Sequence, residues 1–79
     1  MSTKKILIIG IQGALAKITA ELLIKDNPDI QIYGVDSRSI DNIPKRPHLN
    51  VQQIRYNRTS FEKLFREHQF EVVLHLGRL

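Results

Sequence analysis

The chain has 79 residues, of which 42% are hydrophobic and 25% charged, with a formal net charge of +4 and no cysteine. That length allows one small domain, which buries only about 60% of its unfolded surface, and the lack of cysteine excludes disulfides, thiolate catalysis and cysteine-based metal sites. No apolar run approaches the roughly 18 residues that a membrane span needs, and the stretch 6–9 is too short for a signal-peptide core, so a cytoplasmic location is expected.

The first element is the apolar run Ile6-Leu7-Ile8-Ile9. A run with no polar alternation suits a central parallel strand covered on both faces. From Gly13 the period changes to that of a helix. Leu15, Ile18, Leu22 and Leu23 recur at helical spacing and are expected in the core, with Lys17, Glu21, Lys25 and Asp26 on the wet side. Asn27-Pro28 ends it, because proline cannot continue a helix. Ile30–Asp36 reads as a second strand, in which Gly34 marks a close approach of backbone to a helix or ligand. Residues 37–50 lack any period and hold Pro44 and Pro47, so they read as a loop.

A third, polar strand is expected over 51–56, near a sheet edge. Thr59 and Glu62 then have capping-box spacing, which predicts a second helix burying Phe61, Leu64, Phe65 and His68. The last strand is predicted over 70–76. Strands separated by helices imply parallel pairing with right-handed crossovers. The expected fold is therefore α/β, a partial parallel sheet in the order 3-2-1-4 with helices on both faces. Its fourth strand is an apolar open edge, which could pair with a second copy or a partner chain. The basic residues Lys45, Arg46, Arg55, Arg58, Lys63 and Arg66 are scattered, without interleaved aromatics, so no nucleic-acid partner is expected.

The order strand, Gly10-Ile11-Gln12-Gly13, helix, strand, Asp36 makes a site for a dinucleotide. The glycines let backbone amides approach a pyrophosphate, and the helix start at Ala14 and Leu15 offers unpaired N–H groups and a positive dipole end. Asp36 can accept from ribose hydroxyls, with Ser37 and Arg38 beside it. A carboxylate there repels a 2′-phosphate, which favours NAD, whereas Arg38 would pair with that phosphate, so NADP is the less favoured cofactor. His75 has no partner at metal-ligand spacing and reads as a structural histidine.

These residues resemble the extended short-chain dehydrogenase/reductase family, the NAD-dependent epimerase/dehydratase group. Three motifs carry the resemblance: Gly10-Ile11-Gln12-Gly13-Ala14-Leu15-Ala16, similar to Gly-x-x-Gly-x-x-Gly; Gly34-Val35-Asp36-Ser37-Arg38; and Phe70-Glu71-Val72-Val73-Leu74-His75-Leu76-Gly77, similar to Asp-x-Val-hydrophobic-His-Leu-Ala-Ala. The resemblance covers almost all of the chain and the first third of a typical member, which implies the N-terminal half of an NAD(P)-binding Rossmann domain over 1–79. It implies NAD binding within an oxidoreductase acting on a nucleotide-sugar-type substrate, with Leu76 and Gly77 passing close to the cofactor.

Ala16 replaces the third glycine, a common substitute at a helix–strand packing position. Arg55 stands where the family has an acid facing adenine; an arginine would stack there, or Tyr56 would contribute through its backbone. The family's catalytic tyrosine is followed four residues later by a lysine. Here Ser37 follows Tyr33 and Ser60 follows Tyr56 at that distance, so no catalytic residue is assigned and the chain alone is not expected to turn over. The alternative is a non-catalytic interaction or dinucleotide-sensing module that pairs through its open sheet edge.

Overall fold

A computed structural model describes residues 4–40, 43 and 47–76. Six elements follow in the order β1 (Lys4–Ile9), α1 (Ala14–Asp26), β2 (Ile30–Asp36), β3 (Leu49–Gln53), α2 (Arg58–Glu67) and β4 (Val72–His75). All strand pairs are parallel, and the sheet order is β3-β2-β1-β4, as the sequence predicts. β1 sits in the middle, with Ile9 beside Val35 of β2 and His75 of β4.

Alternation along β1 divides the core in two. Ile6 and Ile8 face one side with Ile11, Ala16, Ala20, Ile30, Ile32 and Ile43, which is the α1 layer. Leu7 and Ile9 face the other with Val35 and Leu64, the α2 layer. Leu7, Ile8 and Ile32 are completely buried, each contributing about 1.5–3 kcal/mol of apolar burial. An aromatic cluster extends the second layer: Phe70 lies edge-on to Tyr33 at 5.6 Å and to Phe65 at 5.8 Å between ring centroids.

Helix α1 corrects the expectation about its core face. Leu15, Ile18 and Leu22 have the predicted helical spacing but are 65%, 57% and 55% exposed, while Ala16 and Ala20 are buried and Leu23 and Ile24 pack beside them. Small side chains let the helix axis approach the sheet, so the alanine stripe takes the contact and the bulkier stripe is turned away. The helix ends as expected at Asn27, whose backbone N–H and side-chain Nδ2 both donate to the Leu23 carbonyl, at 3.0 and 3.1 Å.

Three boundaries also move. β3 runs over Leu49–Gln53, earlier than the predicted 51–56, and β4 is confined to Val72–His75. The cap of α2 is Asn57, whose Oδ1 accepts from the Ser60 N–H at 2.8 Å, rather than Thr59. An amide side chain was available two residues upstream of Thr59, and Glu62 pairs with Arg58 (2.6 Å) instead of reaching back. On α2 Leu64 is buried and Phe61 half-buried, but Phe65 is 46% exposed, against expectation. Val72 and Val73 on the outer strand β4 are also exposed, consistent with an apolar edge.

Candidate functional site

The C-terminal ends of the parallel strands gather most of the predicted site residues. The chain leaves β1 at Gly10, which has φ 91°, a conformation that a side chain would strain. Its N–H and that of Ile11 both donate to the Val35 carbonyl, at 2.8 and 3.1 Å, so the turn is fastened to β2. Gly34 makes that fastening possible. A Cβ there would lie 2.5 Å from Ile11 Cγ1 and 2.8 Å from Ile11 Cβ, and Ile11 is completely buried. The close approach predicted for Gly34 is thus to the glycine turn itself.

Gly13 is different. Its φ of −66° and ψ of 148° suit any residue, and a Cβ would meet only the Gly10 carbonyl oxygen, at an ordinary 3.4 Å. The fold does not require glycine at this position. Gly13 is the N-cap of α1 yet offers no side-chain cap, and the first helical hydrogen bond is Lys17 N–H to the Gly13 carbonyl at 3.0 Å. The N–H groups of Ala14, Leu15 and Ala16 have no acceptor among the described residues. A bare backbone with several free donors at the positive end of a helix dipole is an anion site in chemical terms.

Asp36 closes β2 and is the buried polar residue of the site, 1% exposed. Its Oδ2 accepts from the Gln12 N–H at 2.9 Å and from Arg38 Nη2 at 3.0 Å. Its Oδ1 accepts from the Arg38 N–H at 2.9 Å and from Arg38 Nε at 3.1 Å. Burial alone would raise the carboxyl pKa; the Arg38 side chain, the two backbone donors and the Arg38 charge outweigh it and hold the group below its ordinary value. Asp36 therefore also has a structural task, because it ties the glycine turn to the end of β2.

Tyr56 enters from the segment after β3. Its ring packs in the α2 layer, 5.9 Å from Phe61 between centroids. Its hydroxyl oxygen is buried without a hydrogen-bond partner. Burial, and secondly the Asp36 charge, push the phenol above its ordinary pKa, while the nearby backbone of Ser37 and Gly10 moderates the shift. The structure turns the side-chain hydroxyl toward the Asp36 end of the site. A lone tyrosine after a polar strand carries no motif that would reveal this.

Other predicted residues take clear places. Ser37 is exposed, and its carbonyl accepts from Gln53 Nε2 at 3.2 Å. Gln12 reaches the Ser39 carbonyl with its side chain, a link no sequence motif indicates. Leu76 follows β4, and its N–H donates to the Ile9 carbonyl at 2.9 Å, which sets it beside the start of the glycine turn. Arg55 is exposed, as is His75. Gly77 lies outside the described residues. Among the described residues there is no cluster of three metal-ligating side chains and no helix long and apolar enough to cross a membrane.

No protein-family model and no curated protein sequence matches the chain. Solved structures do match. A dTDP-glucose 4,6-dehydratase from Bacillus anthracis in complex with NAD superposes with a TM-score of 0.82 at 14% identity, over 96% of this chain and 27% of that one. The enzyme WbmH of Bordetella bronchiseptica in complex with NAD+ gives 0.80 at 22% identity, over 96% and 26%. An L-threonine dehydrogenase from Clostridium difficile gives 0.75 at 17% identity, over 100% and 25%. The chain spans about a quarter of the length of each of these proteins. At such identities the likeness concerns the fold. In fold, the chain is a Rossmann-type fragment, a four-stranded parallel sheet in the order β3-β2-β1-β4 flanked by helices.

Proposed function

We propose that the chain is the N-terminal, dinucleotide-binding half of a Rossmann domain, and that its cofactor is NAD. The observation that carries this reading is the uncapped start of α1 at Gly13, joined through the Gln12 N–H to the buried carboxylate of Asp36. In this reading the free N–H groups of Ala14 and Leu15 receive the pyrophosphate. Asp36 receives the adenosine ribose, flanked by Ser37 and Arg38, and the Tyr56 hydroxyl finds its partner on the adenosine side. Leu76 borders the cofactor where β4 ends, and Arg55 lines the outer rim of the adenine end. The residues present fit the phosphate end as they stand, since a bare backbone is what a pyrophosphate needs.

NAD, when bound, supplies a hydride acceptor; the residues of this chain bind and orient it. Assignment to an NAD-dependent epimerase/dehydratase-like oxidoreductase with a nucleotide-sugar-type substrate rests on the three sequence motifs and on the NAD-complexed dehydratase of like fold. No catalytic Tyr–Lys pair falls at the required spacing within these residues, so turnover is not assigned to them. Isothermal titration with NAD and then NADP tests the reading. Saturable heat with NAD is expected, and no heat with either dinucleotide from a folded sample refutes it.

A second reading is favoured by the outer strand β4, where Val72 and Val73 are 43% and 45% exposed. It takes the chain as an interaction module that completes its sheet by edge pairing. Light scattering after size exclusion separates the two, because a clean monomer at tens of micromolar argues against pairing.

A further inference from the structure

The ribose end of the proposed site is already engaged by the protein itself. A carboxylate has about four lone-pair positions in its plane. All of those of Asp36 are taken, by the Gln12 N–H (2.9 Å), the Arg38 N–H (2.9 Å), Arg38 Nε (3.1 Å) and Arg38 Nη2 (3.0 Å). Two of the donors are backbone groups that cannot leave without moving the glycine turn or the end of β2. The other two are one guanidinium fork on a side chain that is 60% exposed, facing a carboxylate side chain that is 2% exposed. A vicinal diol presents two O–H donors with a spacing like that of the fork. Diol and fork therefore compete for the same two positions.

We propose that Arg38 occupies the diol position on Asp36, is displaced by a ribose, and thereby sets how strictly the site separates a free 2′-hydroxyl from a 2′-phosphate. The proposal rests on the dinucleotide reading above. Paired with Arg38, the carboxylate has its charge offset and repels a 2′-phosphate weakly, and a released guanidinium can pair with that phosphate in bidentate fashion. Without Arg38 the bare carboxylate favours the diol and rejects the phosphate. Displacement is mild because the guanidinium returns to water it already touches.

The test is calorimetric titration of the full chain and of Arg38→Ala with NAD and with NADP, together with the 15N resonance of Arg38 Nε in the starting chain. Arg38→Ala is expected to bind NAD up to about fivefold more tightly, the range set by loss of a part-exposed ion pair, and to bind NADP more weakly. The Nε resonance is expected to move on saturation with NAD. Arg38→Lys keeps the charge but not the fork, so it should gain NAD affinity while retaining NADP binding; it also serves if Arg38→Ala proves unstable. Unchanged or weaker NAD binding in both variants overturns the proposal while leaving the dinucleotide reading intact, as does an Nε resonance that stays in place. If neither the starting chain nor the variants bind any dinucleotide, the site reading itself falls and this proposal with it.

Discussion

Gly13→Ala separates the needs of the fold from those of a ligand. The backbone at Gly13, φ −66° and ψ 148°, is open to alanine, and the new methyl group would sit 3.4 Å from the Gly10 carbonyl oxygen, an ordinary contact. Two effects on stability oppose each other. Alanine is a poorer N-cap than glycine, but it restricts the unfolded chain, and each effect is about 0.5–1 kcal/mol. Native stability should therefore stay within about 1 kcal/mol of the starting chain. Binding should not. In the proposed dinucleotide site the methyl group would project toward the pyrophosphate at the helix start, and loss of one hydrogen bond to a charged group costs about 1.5–3 kcal/mol, or roughly ten- to hundredfold in affinity. Urea unfolding followed by circular dichroism reads the first quantity and calorimetric titration with NAD the second. An intact variant that binds NAD as well as the starting chain does would refute the phosphate cradle, and an unfolded one would refute the conformational argument.

Gly34→Ala should do the opposite. Its Cβ would press on the buried Ile11 at 2.5 Å, an overpacking cost of about 1–3 kcal/mol, and because Ile11 stands inside the turn, Gly34→Ala combined with Ile11→Ala should be less unstable than the sum of the two single changes. Additive losses in that double-mutant cycle would rule out the contact. The lowered pKa of Asp36 means that the folded state binds its proton less readily than the unfolded state. Its contribution to stability is thus complete above the ordinary carboxylate pKa of about 3.9 and disappears as pH falls through the native value. The stability gap between the starting chain and Asp36→Asn should accordingly be constant near neutrality and close in acid; a gap independent of pH would contradict the assignment. Tyr56→Phe removes a buried hydroxyl that has no partner and keeps the ring, so the melting temperature should rise, by an amount corresponding to about 1 kcal/mol. A fall would show that the hydroxyl is bonded in solution.

The local signals in the sequence determined the element order, the parallel sheet and its 3-2-1-4 sequence of strands, because an unbroken apolar run, a glycine turn and right-handed crossovers leave few other arrangements. They also put Gly10 in the turn after β1, Gly13 at the start of α1 and Asp36 at the end of β2, because a glycine pair between an apolar run and a helical period marks a turn. Tertiary structure decided what depends on distance across the fold. Periodicity pointed to Leu15, Ile18 and Leu22 as the core face of α1, and close packing chose Ala16 and Ala20 instead. The motif around Asp36 pointed to ribose, but the Arg38 fork and the Gln12 N–H that fill its lone pairs come from side-chain geometry and from a residue 24 positions earlier in the chain. Tyr56 likewise gains its place only because β3 runs beside β2, which brings a phenol from the segment after β3 to the neighbourhood of Asp36.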